Sequence, residues 1–122
     1  MKRAIILPSL LAALLGASAY AADNAPARKS GGVLVDAKGM TVYTFAKDTP
    51  AKSACSGQCA ENWPPVKAGD GTLPEPFSAV TREDGTRQLA YKGKPLYTFV
   101  KDKKPGDKTG DKVKDVWHVV TD

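Results

Sequence analysis

The chain has 122 residues, with 18 Lys or Arg against 13 Asp or Glu, one His and two Cys. That length makes one small domain rather than several. Eight lysines crowd into residues 92–114, but Asp102, Asp107, Asp111 and Asp115 are interspersed among them, which reads as a solvated surface and excludes a nucleic-acid footprint.

The N-terminus carries a basic pair, Lys2 and Arg3, an apolar run from Ala4 to Ser18, and small residues in Ala19-Tyr20-Ala21. The apolar run is short of the roughly 20 residues that a membrane span needs. Residues 1–21 are expected to be a cleavable signal peptide, which directs the product to the periplasm or the medium. No Cys follows the apolar run, so no lipid or other membrane anchor is expected after cleavage; the first Cys is Cys55. Without Lys2 and Arg3, 16 basic residues face 13 acidic ones, a net charge of +3. Residues 22–31 are polar and aperiodic and read as a disordered leader, leaving residues 32–122 as a single domain.

Within that domain, Val33-Leu-Val35 and Met40 to Phe45 flank the turn-like Asp36-Ala-Lys-Gly39 and predict a hairpin. Ala54 to Glu61 is the one helix-permissive stretch, ended by Asn62 and Trp63-Pro64-Pro65 because a residue before proline disfavours helix. Lys67 to Pro76 is a connector. Phe77 to Arg82, Arg87 to Tyr91 and Pro95 to Val100 then predict a three-stranded meander around an Asp-Gly turn and a Lys-Gly turn. A polar loop leads to a closing strand, Val116 to Val120. The expected fold class is all-β: a small antiparallel domain of about six strands, with one short helical turn near the cysteines.

The strongest pattern is internal. Gly39-Met-Thr-Val-Tyr-Thr-Phe-Ala-Lys-Asp48 returns 54 residues later as Gly93-Lys-Pro-Leu-Tyr-Thr-Phe-Val-Lys-Asp102, and the same offset carries Trp63 onto Trp117. It also lays Val33-Leu-Val35 on Arg87-Gln-Leu89. The repeats run from about 32 to 66 and from 86 to 120. A lone hairpin is marginal in water, so the halves are expected to share one core.

Tyr43-Thr-Phe45-Ala-Lys-Asp48 and Tyr97-Thr-Phe99-Val-Lys-Asp102 both fit Tyr-x-aromatic-x-x-Asp. With Cys55-Ser-Gly-Gln-Cys59-Ala-Glu-Asn-Trp63-Pro-Pro and the Gly93-Lys-Pro-Leu-Tyr97 segment, they resemble the bacterial secreted-repeat family of predicted lipoproteins that carry this motif. The resemblance covers nearly the whole exported portion. It implies a secreted repeat protein and no particular activity, and the lipid anchor of many members is not carried over.

Several residues are candidates for chemistry. Cys55 and Cys59, one helical turn apart, are within disulfide reach and should pair in an oxidising compartment. The same two thiols, with His118 and Met40, are the candidate soft-metal ligands; the pair is also the candidate redox centre, although its spacing is not Cys-x-x-Cys. His118 stands alone, with no nucleophile motif beside it. Asp48 and Asp102 either cap the turns after their strands or approach each other as a hydrolytic acid/base pair. Tyr43, Phe45, Trp63, Tyr97, Phe99 and Trp117 read as core.

The expectation is a non-catalytic, monomeric binding or interaction module without a cofactor, whose partner is an envelope protein, a glycan or a small ligand. The alternatives are a metal- or redox-linked protein using Cys55 and Cys59, and a hydrolase using Asp48 and Asp102.

Overall fold

The computed structural model describes residues 25–50 and 52–121; the expected signal peptide lies outside them. The fold is all-β, seven short strands in antiparallel sheets with one brief α-helix and one 3-10 turn (Val113–Asp115) among the described residues. Strands β1 (Ala27–Ser30) and β2 (Val33–Asp36) form one pair. Strand β3 (Tyr43–Phe45) pairs with β7 (Trp117–Val119). Strands β4 (Phe77–Thr81), β5 (Arg87–Tyr91) and β6 (Lys94–Pro95) make a three-stranded meander, whose last strand is only two residues long where the sequence predicts Pro95 to Val100. Helix α1 (Gln58–Asn62) ends at Trp63, before the two prolines.

Two further expectations need correction. The leader assigned to residues 22–31 contains β1. Gly31 and Gly32 both have positive φ, 60° and 88°, which closes the two-residue hairpin turn that matches strand twist. The polar face of β1 masked it: Arg28, Lys29 and Ser30 are exposed while Ala27 alone is buried, as suits an edge strand. Each repeat therefore starts one strand earlier than residues 32 and 86. The overlay of Val33-Leu-Val35 also shifts by one. Leu34 donates to the Val120 carbonyl as Leu89 donates to that of Val66, so Leu34 matches Leu89 rather than Gln88. The turn after β2, Ala37-Lys38-Gly39, is one residue longer than Lys92-Gly93, and Asp36 Oδ1 holds it through the Lys38 and Met40 amides.

A pseudo-two-fold axis passes between the two motif tyrosines. Tyr43 N–H donates to the Tyr97 carbonyl at 2.7 Å and Tyr97 N–H to that of Tyr43 at 2.9 Å. Ala46 donates to Val116 as Val100 donates to Asn62. Nearly every long-range bond thus joins one half to the other, and neither half closes alone. On one side of the axis lies an aliphatic zone of Ala27, Leu34, Val42, Leu89 and Leu96; on the other lies an aromatic zone of Tyr43, Trp63, Tyr97 and Trp117 with Cys55. Alternation along β3 sends Val42 to the first and Tyr43 to the second.

Candidate functional site

The repeated motif forms the centre of the aromatic zone. Tyr43 and Tyr97 have no exposed surface, so each hydroxyl requires a partner. Each finds the aspartate of the other repeat: Tyr43 Oη donates to Asp102 Oδ2 at 2.6 Å, and Tyr97 Oη to Asp48 Oδ2 at 2.7 Å. The second oxygen of each carboxylate accepts a downstream amide, Ala54 N–H for Asp48 and Thr109 N–H for Asp102. Asp48 and Asp102 are thus held by tyrosines and turn amides, and not by each other. Burial raises the Asp48 carboxyl above its ordinary value, against the opposing pull of the Ala54 amide, Tyr97 and Arg82. Burial pushes the Tyr97 phenol up to about 12 and raises that of Tyr43 further, with the neighbouring Asp102 adding to it.

The remaining aromatics stack through the axis. Phe45 lies on Trp117 at 4.3 Å between ring centroids, Trp117 on Trp63 at 3.8 Å, and Trp63 on Phe99 at 4.0 Å. Tyr43 meets Trp63 edge-on and Tyr97 meets Trp117 the same way. Sequence reasoning placed these six residues in the core but missed the crosswise Tyr–Asp pairing. The signal for it was present, since a buried Tyr needs a hydrogen-bond partner and both copies keep an Asp at the same spacing.

The halves differ in what surrounds this centre. In the first, Cys55 and Cys59 form a disulfide with Cα atoms 5.3 Å apart. It fixes a loop in which Ser53 Oγ meets Tyr97 Oη at 2.5 Å. Arg82, from the end of β4, donates to Ser53 Oγ, to Gln88 Oε1 and to the Cys55 carbonyl at 3.0, 2.8 and 2.6 Å. The fully buried Gln88 passes the network on to the Leu96 carbonyl. In the second half, Thr109 Oγ1 and N–H both bind Asp102 Oδ1, and Gly110 N–H donates to Tyr43 Oη. Gly110 occupies the place of Cys55, and a Cβ there would stand 2.7 Å from the Trp63 ring.

A groove of about 660 Å³ opens between the disulfide loop and the β4–β5 turn. Lys52, Ser53, Cys55, Thr81, Arg82 and Asp84 are among its walls. His118 lies elsewhere, exposed on β7, with its ring nitrogen 3.3 Å from the Asp115 carbonyl. The structure does not gather His118 with the cysteines; among the described residues no cluster of three or more His, Cys, Asp or Glu is placed for a metal ion. No helix of the described residues is long and apolar enough to cross a membrane.

These features define a tandem-repeat β-domain that two homologous halves close across a pseudo-dyad. The chain belongs to the family described as a secreted repeat of unknown function, whose model matches residues 20–67 and 78–121, one match per structural half. The second match begins within β4, in keeping with a repeat that includes the strand before its hairpin. No curated protein and no solved structure matches the chain.

Proposed function

We propose that the protein is a non-catalytic binding module that acts as a monomer outside the cytoplasm. Its ligand sits in the groove between the disulfide loop and the β4–β5 turn. The observation that carries this reading is the groove itself, about 660 Å³ in volume and walled by residues on which the halves differ. Concave sites with a few fixed polar groups are the default places for ligands. Here the fixed group is the Arg82 guanidinium, and the Ser53, Ser56 and Thr81 hydroxyls supply further polar contacts. The volume suits a small polar molecule or one end of a glycan or peptide. The motif residues being turned inward supports a non-catalytic role: Asp48 and Asp102 are bonded by the two tyrosines and by turn amides. In this reading the disulfide is a staple, with Cys55 fully buried against the aromatic zone.

The test is amide shift mapping of the exported form against free amino acids, dipeptides, and mono- and disaccharides. The expected response is confined to residues 53–57 and 81–84 and is lost in Thr81→Trp, which fills the groove from an exposed strand position. Shifts that lie elsewhere, or that survive Thr81→Trp, overturn the assignment.

A further inference from the structure

A second concave region is lined by residues of β3, β6 and β7 and of the turn before β6. Two grooves, of about 350 and 330 Å³, share Thr44, Lys92, Lys94 and His118 and so form one continuous cleft. Lys92 sits at positive φ in the tight Lys-Gly turn, Lys94 opens β6 and His118 is on β7. Three different elements therefore deliver cationic or titratable groups to one place. All three side chains are exposed, and among the described residues the ion pair found is a different one, Lys104 with Asp107. Among the described residues a single carboxylate lines the cleft, that of Asp48. Both its oxygens are already bonded, to Ala54 N–H and Tyr97 Oη, and its charge is opposed by Arg82. Beyond the lining at the far end, Lys29 Nζ donates to the Thr121 carbonyl at 3.2 Å.

The rest of the lining is specific in kind. Phe45, covered on one face by Trp117, contributes a half-buried ring, and Pro50 and Pro95 flank it. Thr44, Thr49 and Thr121 add hydroxyls. At the pseudo-symmetric place in the other half, Thr41, the counterpart of Pro95, bonds the Asp107 carbonyl, and Gly39, Thr41 and Pro105 line a separate groove of about 340 Å³ with different side chains.

We propose that this cleft binds an acidic polysaccharide, with uronate or other anionic sugar units set against Lys92, Lys94 and His118 and a sugar face on Phe45. Charge complementarity supplies the anion, the hydroxyl and aromatic lining supplies the sugar, and the length of two joined grooves supplies a chain rather than one residue.

The probe is a hexagalacturonate, titrated against the exported form at low salt, with maltohexaose as the uncharged control. Binding of the first and not the second is expected, with amide shifts at residues 44–45, 92–95 and 118–121. Lys92→Glu/Lys94→Glu should weaken it about tenfold or more, since close charge contacts are each worth a few-fold, and His118→Gln should weaken it less. Lys101→Glu/Lys108→Glu makes the same change in net charge on exposed lysines outside the cleft and should alter affinity less than threefold at about 0.1 M salt. Equal losses in the two double variants would show attraction to net charge alone and overturn the site. Equal or tighter binding of polyglutamate or of phosphatidylglycerol vesicles through the same lysines would overturn the saccharide assignment. These outcomes are independent of the groove beside the disulfide.

Discussion

The two repeats agree at their centre and disagree one layer out. Each contributes a Tyr, an Asp, a Phe and a Trp to a pseudo-symmetric core, and each Tyr is anchored to the Asp of the other. Around Asp102 the support is local, a threonine and a glycine amide in a lysine-rich loop. Around Asp48 it is a disulfide-fixed loop and a guanidinium that reaches across from β4. The shared part therefore builds the fold, while the unshared part opens a groove beside the disulfide and a cleft beside His118. A duplicated protein has this freedom because the motif closes the domain once both copies are present, whatever decorates each copy.

The largest test of that comparison is at the stacked indoles. Trp63→Ala and Trp117→Ala should each cost about 3–5 kcal/mol, the usual range for a buried Trp truncation. Urea unfolding should place the two close together, because the axis makes their surroundings equivalent; a cost twice as large for one would break the symmetry. Gly110→Ala sharpens the comparison. The added methyl would meet Trp63 at 2.7 and 2.8 Å and Phe99 at 3.0 Å, rings locked in a stack that has no room to shift. A loss of about 1–3 kcal/mol is expected, as for an overpacked core. The first repeat has a cysteine at this point, so its backbone path must differ there, and a neutral Gly110→Ala would refute the tight approach.

Much of this was legible in the residues. The 54-residue repeat implied a shared core, the β-branched and aromatic runs implied strands, and two cysteines one turn apart in an exported chain implied the disulfide. What escaped was long-range or masked. Strand β1 is three parts solvent-facing, so periodicity gave no signal, although Gly31-Gly32 is itself a hairpin turn sequence. The one-residue shift of Leu34 onto Leu89 depends on turn length, which a fixed offset cannot express. The crosswise Tyr–Asp bonds need knowledge of which repeat faces which. Arg82 looked like an ordinary strand residue, because its partners Ser53 and the Cys55 carbonyl lie 29 and 27 residues away, and Gln88 takes its role from Arg82. The grooves come from loops on which the halves differ, and loop conformation is the least determined by local pattern.

Removal of the disulfide separates the halves dynamically. Cys55→Ala/Cys59→Ala should cost about 2 kcal/mol, small because the closed loop is short. Hydrogen exchange should quicken at residues 53–59, while residues 107–112, whose Asp102 contacts need no disulfide, keep their protection. Equal loosening of both loops would mean that the staple acts on the whole domain and does not belong to one repeat.

The smallest effect at neutral pH, and the most discriminating, concerns the phenols. Tyr97→Phe should cost about 1 kcal/mol, since Asp48 keeps the Ala54 amide and the nearby Arg82 charge. Its consequence grows with pH. A phenol whose folded pKa lies above its unfolded value of 10.0 contributes stability that is fully present below pH 10. That contribution is lost as pH rises toward about 12, the folded value for Tyr97, and Tyr43, raised further, adds to the same alkaline fall. The wild-type protein should therefore lose stability steeply above pH 10, with phenolate absorbance from Tyr43 and Tyr97 appearing only as the fold is lost. Tyr97→Phe should make the decline shallower, by removing one of the two protons released on unfolding. If both phenols ionise near pH 10 while the protein stays folded, the tyrosine–aspartate pairs are more open than the pseudo-symmetric core requires.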